Sequence, residues 1–492
     1  MGFHSEKFYG EPPDFCIGQR DGHYLMLALV AAAARVSVHL RGKTLYSMTR
    51  FLSILLVSLG GFVAAPAAEN PPQAEAGTNL PVVLIEAKEP IVSERKVSCS
   101  AQLALPPGAA ADDSGPLPGV VRIRGASSQG YEKKSFGLTL DAPAQWLGMR
   151  TSRHWILNAA AVDRSLMRHK LSYDLFLSLS SPDAPRFATA SRFVEVKLNG
   201  SDNGAYLLME RVDRALLKLR DYDPEAPAHA CIYKAADHAA NFSQPGHGGF
   251  EQVEPDPLAK PYFEPLDEFN RFVSRSTDIE FRDPQNGIAT RLDIDNAIDF
   301  QLLVLLTCNL DGITKNFLLS RDATAPDAPV PPRFFFAPWD YDSTFGRNWD
   351  ATRVGIDVWL SNHLFDRLHG DIAYTRRFAA RWKQLRERQF SLATIHRLID
   401  DNAKTLGAAA QRNATRWRTL DGPYPDRLTF EQDLAQMKEW VAARVKCSTP
   451  RSSAAPIRAA DGASESCRFP LAAIARRAGL CTGARSGYAR GL

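Results

Sequence analysis

Residues 309–317 read Asn-Leu-Asp-Gly-Ile-Thr-Lys-Asn-Phe, and residues 333–346 read Arg-Phe-Phe-Phe-Ala-Pro-Trp-Asp-Tyr-Asp-Ser-Thr-Phe-Gly. Phe317-Leu318-Leu319 and Arg333 to Phe336 have the composition of two short strands, separated by a Pro/Ala-rich loop. Just upstream, Asp293 to Thr307 carries a near-continuous apolar face at helical spacing, with Cys308 following as a small buried hydrophobe. A helix, a polar loop and a hairpin would thus bring Asp311 and Asn316 close to the Asp340/Asp342 pair. Oxygen-bearing side chains concentrated at the ends of apolar elements are candidates for chemistry, because packing alone does not require them.

Working outward, the part before residue 210 is β-rich. Pro81 to Ile85 and Val120 to Ile123 read as strands, and Arg192 to Leu198 and Ala205 to Met209 read as a hairpin joined through Asn199 to Gly204. Between them, Leu166, Met167, Leu171, Leu175 and Leu179 lie at helical spacing after Asp163, a candidate N-cap. Beyond Glu210 the pattern turns helical, with several amphipathic stretches between Thr375 and Lys446. The expectation is an α+β chain with a β-rich N-terminal lobe (about 81–212), an α-rich C-terminal lobe (about 213–446) and a ligand cleft near their join.

The chain has 492 residues, 45% apolar, with 59 basic against 55 acidic side chains. A net charge of +4 this dispersed gives no case for nucleic acid as a partner. Met48-Thr49-Arg50, the apolar run Phe51 to Ala65 and the small residues Ala65-Pro66-Ala67 have the order of a secretory signal. Residues 1–47 then read as upstream sequence, 48–67 as the signal, 68–80 as a linker and 447–492 as a Cys-containing tail. Export to the periplasm or the exterior is expected, with no stable membrane span once the signal is cleaved. Six cysteines follow the signal, a number compatible with disulfides but with no C-x-x-C pair that would suggest zinc.

Asp311 and Asn316 have the D-x-x-x-x-N spacing of protein-kinase catalytic loops, although no His-Arg precedes the aspartate. In that arrangement the aspartate orients and deprotonates the acceptor hydroxyl, and the asparagine amide oxygen ligates a metal beside the phosphates. Lys315 stands within the same loop. A carboxylate leaving the next strand, Asp340 or Asp342, is where the principal metal ligand would be, and Mg2+ needs few such donors. In the β-rich part, Arg124-Gly125-Ala126-Ser127-Ser128-Gln129-Gly130 is small and polar enough for main-chain amides to approach phosphate. Lys133 and Lys134 alternate faces of the following strand, so one of them would enter the cleft; Lys134 is the favoured one. His154, His169 and His238 show no metal-ligand spacing.

Taken together, these segments resemble the CotH family of atypical kinases. The resemblance rests on R-G-x-S-S…K-K, W-x-L-N-A-x-x-x-D-x-x-x-M-R (155–168), N-G-x-x-x-G-x-Y-x-x-x-E (199–210), D-G-x-x-K-N-F and P-W-D-x-D-x-T-F-G, in that order. It runs from about Val82 to Arg444 and includes Arg412 to Trp417. It departs at Ala126, where the family usually has a polar residue, and in the insert Asp322 to Pro332. The resemblance implies a divergent two-lobed kinase-like fold and transfer of phosphate from ATP, with Mg2+ or Mn2+, to hydroxyls of a protein substrate. It implies catalytic roles for Asp311, Lys134 and Lys315. Nucleotide contacts would come from Arg124, Ser127, Ser128, Lys133, Lys134 and Glu210, and metal ligation from Asn316, Asp340 and Asp342. Met209 to Arg211 would correspond to the hinge that meets adenine, and Arg168 and Asp174 are either orienting groups or surface charges. An exported kinase-like scaffold without catalysis, or a metal-dependent phosphoester hydrolase, would draw on the same residues.

Overall fold

The computed structural model describes residues 79–106, 115–221, 223, 228–258, 260–324, 332–417 and 427–447. The upstream segment 1–47, the signal 48–67, most of the linker and the tail from 448 lie outside the described residues.

Seven strands close into a barrel: β1 (Val82–Ala87), β2 (Val97–Ala104), β3 (Leu117–Arg124), β4 (Ser135–Ala144), β5 (Ser152–Asn158), β6 (Ser191–Leu198) and β7 (Ser201–Glu210). The order around the barrel is β1-β2-β3-β4-β5-β7-β6, and the parallel pairing of β1 with β6 closes the ring. Period-two alternation drives this arrangement, with Val83 and Ile85, Ala101 and Leu103, Leu138 and Leu140, and Val194 and Val196 filling the interior around stacked Trp146 and Trp155. The β6–β7 hairpin turns on Asn199 and Gly200 alone, at φ 48° and 76°, the positive pair a two-residue turn demands. Ser201 to Gly204, expected as loop, belong to β7.

Helix α1 (Arg168–Leu177) starts five residues later than the spacing suggested. Asp163 is not its N-cap, because Met167 holds that position and Leu166 is left-handed at φ 61°. The Asp163 carboxylate nevertheless accepts from Arg168 N at 2.7 Å, quenching one of the helix's unpaired donors from a distance in sequence.

The rest is a four-stranded sheet and a helical array. The sheet contains β8 (Cys231–Ala235), β9 (Phe250–Glu254), β10 (Phe317–Arg321) and β11 (Phe335–Pro338), in the order β11-β10-β8-β9. The helices are α2 (Glu264–Arg275), α3 (Asp278–Phe281), α4 (Ile294–Thr307), α5 (His363–His369), α6 (Ile372–Arg386), α7 (Leu392–Trp417) and α8 (Phe430–Cys447). The fold is therefore α+β, with strands dominating before residue 210 and helices after 260. α4 is buried along almost its whole length and stacks Phe300 on Phe336 at 4.6 Å between ring centroids, which fixes the helix against the β10–β11 hairpin. Asp293 caps it at Asn296 N, and it ends at a left-handed Cys308 whose thiol is fully buried and raised to about 11 by that burial. Cys99, Cys231 and Cys308 are free thiols. Among the described residues, no helix is long and apolar enough to cross a membrane.

One buried ion cluster ties these layers together. Arg168, 1% exposed, donates to both oxygens of Asp433 on α8 at 2.6 and 2.7 Å, to Asp163 at 2.5 Å and to the Thr344 carbonyl at 2.9 Å. It is neither a surface charge nor an orienting group in the cleft. Its counter-charges outweigh the cost of burial and hold its pKa above the ordinary value. Asp174 meanwhile pairs with Lys170 on the helix surface at 2.8 Å.

Candidate active site

The Asp311 loop and the Asp340 loop are the two connections flanking β10–β11, and the hairpin sets their spacing. Asn316 lies at φ 60°, with its N–H donated to Ala235 O and its carbonyl accepting from Trp339 N. Asp340 lies at φ 58°, a left-handed conformation that Asn and Asp tolerate better than most residues. Its N–H donates to the Tyr173 hydroxyl at 3.0 Å and its carbonyl accepts from Asn309 Nδ2 at 3.2 Å. Gly312 must stay glycine, since a Cβ there would meet Asn309 Cγ at 2.7 Å. With the main chain pinned in this way, the side chains of Asp311, Asn316, Asp340 and Asp342 all line one cleft of about 960 Å³.

The far wall of that cleft is the loop after β3. Gly125 has φ 119°, and a Cβ on it would fall 2.1 Å from Ser128 Oγ, so the tight entry into the short helical turn Ser127–Gly130 requires glycine. Arg124, Ser127, Ser128 and Lys133 line the cleft, and the Arg124 guanidinium sits over the Trp339 ring at 5.7 Å.

Both lysines are held by main-chain carbonyls, Lys134 by the loop itself and Lys133 by Ala159 just past β5 and Ala205 within β7. Lys134 Nζ donates to Gln129 O at 2.7 Å and Tyr131 O at 2.5 Å, which ties the turn closed, and Lys134 is not among the cleft-lining residues. Lys133 Nζ donates to Ala159 O at 2.8 Å and to Ala205 O, and lies over the Tyr206 ring at 4.4 Å. Burial lowers its pKa to about 7. Neither ammonium faces a carboxylate of the site. Glu210 lies outside the cleft: its oxygens accept from Arg150 N at 2.9 Å and Ala190 N at 3.4 Å, and it is buried. Because β7 pairs with β5 on one edge and β6 on the other, the main chain at Met209 and Glu210 is committed to the barrel, unlike an open hinge strand. Met209 itself lines the cleft.

On the acidic side, Asp311 pairs with Lys315 Nζ at 3.0 Å and lies 3.7 Å from His238 Nε2, whose other nitrogen bonds Thr314 at 2.7 Å. Asp342 is pushed well above the ordinary carboxylate range by burial and then by the neighbouring Asp340. His169, buried beneath both, is lowered by burial. Donor atoms of His169, Asp340 and Asp342 lie within 4.8 Å of one another. Among the described residues no Lys or Arg makes an ion pair with Asp340 or Asp342, although Arg124 is close enough to feel the Asp340 charge. Two carboxylates held together without a Lys or Arg partner, in a cleft that Asn316 also lines, fit a divalent ion of the oxygen-seeking kind. His169 and His238 are site residues that spacing did not single out. Their partners, Tyr341 and Asp311, are 172 and 73 positions away in the chain.

The family described as CotH kinase protein matches residues 121–447. The chain belongs to the CotH family. It is 28% identical over 301 residues to the inner spore coat protein H of Bacillus subtilis (strain 168), covering 58% of this chain and 77% of that protein. The matched family region begins within β3 and ends at the last residue of α8, so it takes in both walls of the cleft.

Proposed function

We propose that this CotH-family chain is an exported atypical protein kinase of divergent two-lobed architecture, transferring phosphate from ATP to Ser or Thr hydroxyls of a protein substrate. The observation that carries this reading is the convergence of Asp311, Asn316, Asp340 and Asp342 on one cleft, opposite a glycine- and serine-containing loop. Asp311, oriented by Lys315, is placed to accept the proton of an incoming hydroxyl. Asp340, Asp342 and Asn316 would hold Mg2+ or Mn2+, which when bound supplies charge neutralisation at the transferring phosphate. Ser127, Ser128 and the loop amides are the candidates for the phosphate oxygens. Arg124 is the cation best placed beside them, since both lysines donate to main-chain carbonyls. A surface or extracellular setting agrees with the spore-coat description of the Bacillus relative.

The test is incorporation of labelled phosphate from ATP by the purified chain with Mg2+ or Mn2+. Transfer that disappears in Asp311→Ala and Asp342→Ala supports the reading, provided that Asp311→Ala still binds nucleotide. Absence of nucleotide binding in the parent chain would remove it.

A further inference from the structure

His169 lies in the first turn of α1, 4% exposed, with its ring stacked on Tyr173 at 5.8 Å between centroids. Proximity alone groups it with Asp340 and Asp342 as a third ligand for a cation. Its hydrogen bonds say otherwise. Tyr341 N lies 3.0 Å from His169 Nδ1, and a main-chain N–H can only donate, so Nδ1 carries a lone pair and no proton. The ring proton is therefore on Nε2, the atom that faces Asp340 Oδ1 at 3.8 Å and has no hydrogen-bond partner among the described residues. A metal-ligating nitrogen must present a lone pair. Moving the proton to Nδ1 would set two N–H groups against each other, and turning the ring over would place a carbon against Tyr341 N–H. Both leave a buried donor unsatisfied.

We propose that His169 is a positioning residue rather than a metal ligand: its Nε2–H, 3.8 Å from Asp340 Oδ1 and short of a hydrogen bond, closes onto that oxygen when a cation draws the carboxylates together, leaving the other oxygen for the cation. The cation is then bound by oxygen alone, through Asp340, Asp342 and Asn316. Oxygen donors suit Mg2+ and Mn2+, whereas an imidazole in the set would favour zinc. Metal ligands are commonly steered by such a hydrogen bond from a neighbour, and loss of the neighbour typically costs about 10–100-fold in affinity. This role rests on the metal-holding reading of the Asp340/Asp342 pair given above.

The experiment uses the full chain with Mn2+ and ATP as the probe, its histidines labelled with 15N, and reads the nitrogen couplings of the bound Mn2+ by pulsed electron paramagnetic resonance. Labelling should leave the spectrum without a directly bound histidine coupling. Mn2+ titrations should give His169→Gln, which keeps an N–H donor, within about 3-fold of the parent, and His169→Leu weaker by about 10–100-fold. A direct 15N-histidine coupling overturns the role of His169 while leaving the metal site standing. An unchanged affinity in His169→Leu, or equal losses in both variants, also overturns it. If the parent takes up no Mn2+ at all, the metal reading of Asp340 and Asp342 falls, and this role falls with it. The labelled parent spectrum decides the question even if a variant fails to fold.

Discussion

Arg168 and His169 are neighbours in one helical turn, yet they serve opposite kinds of acidic cluster. Arg168 meets Asp163 and Asp433 in a closed set, its guanidinium donating to both carboxylates and to the Thr344 carbonyl. His169 faces Asp340 and Asp342, an open set with no Lys or Arg paired to it among the described residues. Thr344 lies two residues beyond Asp342, so the closed cluster anchors the very loop that carries the open one. Compensated charge deep in a protein holds structure in place, and losing one partner is costly because the other is left buried alone. Uncompensated charge in a cleft costs stability in the empty protein, and the compensation comes from what binds there.

The largest effect expected from this contrast is Arg168→Ala. It orphans two buried carboxylates and should destabilise the chain by about 3–5 kcal/mol, read by urea or thermal unfolding. A loss below about 1 kcal/mol would mean that the cluster is not the anchor described. Next come the open-cluster variants. Asp342→Asn should leave the unfolding midpoint at or above that of the parent, since it relieves a close like-charge contact in the cleft, while phosphate transfer falls by about 10³-fold, near 4 kcal/mol in barrier. A variant that lost stability and activity together would place Asp342 with the closed cluster instead.

A third prediction concerns Lys133, a buried cation with no carboxylate in contact. Its folded pKa, about 7, is below the ordinary lysine value of 10.5, so folding favours its neutral form. The sign follows: its contribution to stability is fully present above 10.5, is lost as pH falls toward 7, and is flat below that. Between those limits the parent should gain up to about 1.4 kcal/mol per pH unit relative to Lys133→Met. Denaturant titrations of both proteins at pH 7, 8 and 9 measure the difference. Parallel curves would show that the two carbonyls and the Tyr206 ring hold Lys133 charged.

How much of this was legible beforehand depended on sequence distance. The Asn199-Gly200 turn, helix α4 and the β10–β11 hairpin are local patterns, and they were readable with errors of a few residues at their ends. The acidic site was legible as well, because Asp311, Asn316, Asp340 and Asp342 occur within 32 positions around one hairpin. Barrel closure was not, since the parallel β1–β6 pairing joins Val82 to Glu195 with no local signal. The roles of Arg168 and His169 were equally hidden. One depends on Asp433, 265 positions away, and the other on the N–H of Tyr341. The period-two alternation expected at Lys133 and Lys134 fails, because both precede β4, which begins at Ser135, and nearby carbonyls capture both ammonium groups.

The smallest effect, and the one that bears most directly on that last point, is Lys134→Ala. If Lys134 reached the phosphates, its removal would cost the reaction orders of magnitude, as loss of a transition-state cation does. Here its ammonium instead bridges Gln129 O and Tyr131 O, at the exit of the turn that Gly125 opens. Removing it should therefore loosen the turn by about 1–3 kcal/mol at most, the scale for hydrogen bonds to a charged group. The freed carbonyls are part-exposed and water can satisfy them, which places the loss toward the lower end. The kinetic signature should be a several-fold rise in KM for ATP with kcat nearly unchanged, because the loop binds ground state and transition state alike. Arg124→Ala in the same assay supplies the contrast: its guanidinium lines the cleft and, among the described residues, donates to no main-chain carbonyl, so its loss should lower kcat as well. A collapse of kcat in Lys134→Ala, with Arg124→Ala nearly silent, would reverse the two assignments and require the loop to reorganise when nucleotide binds.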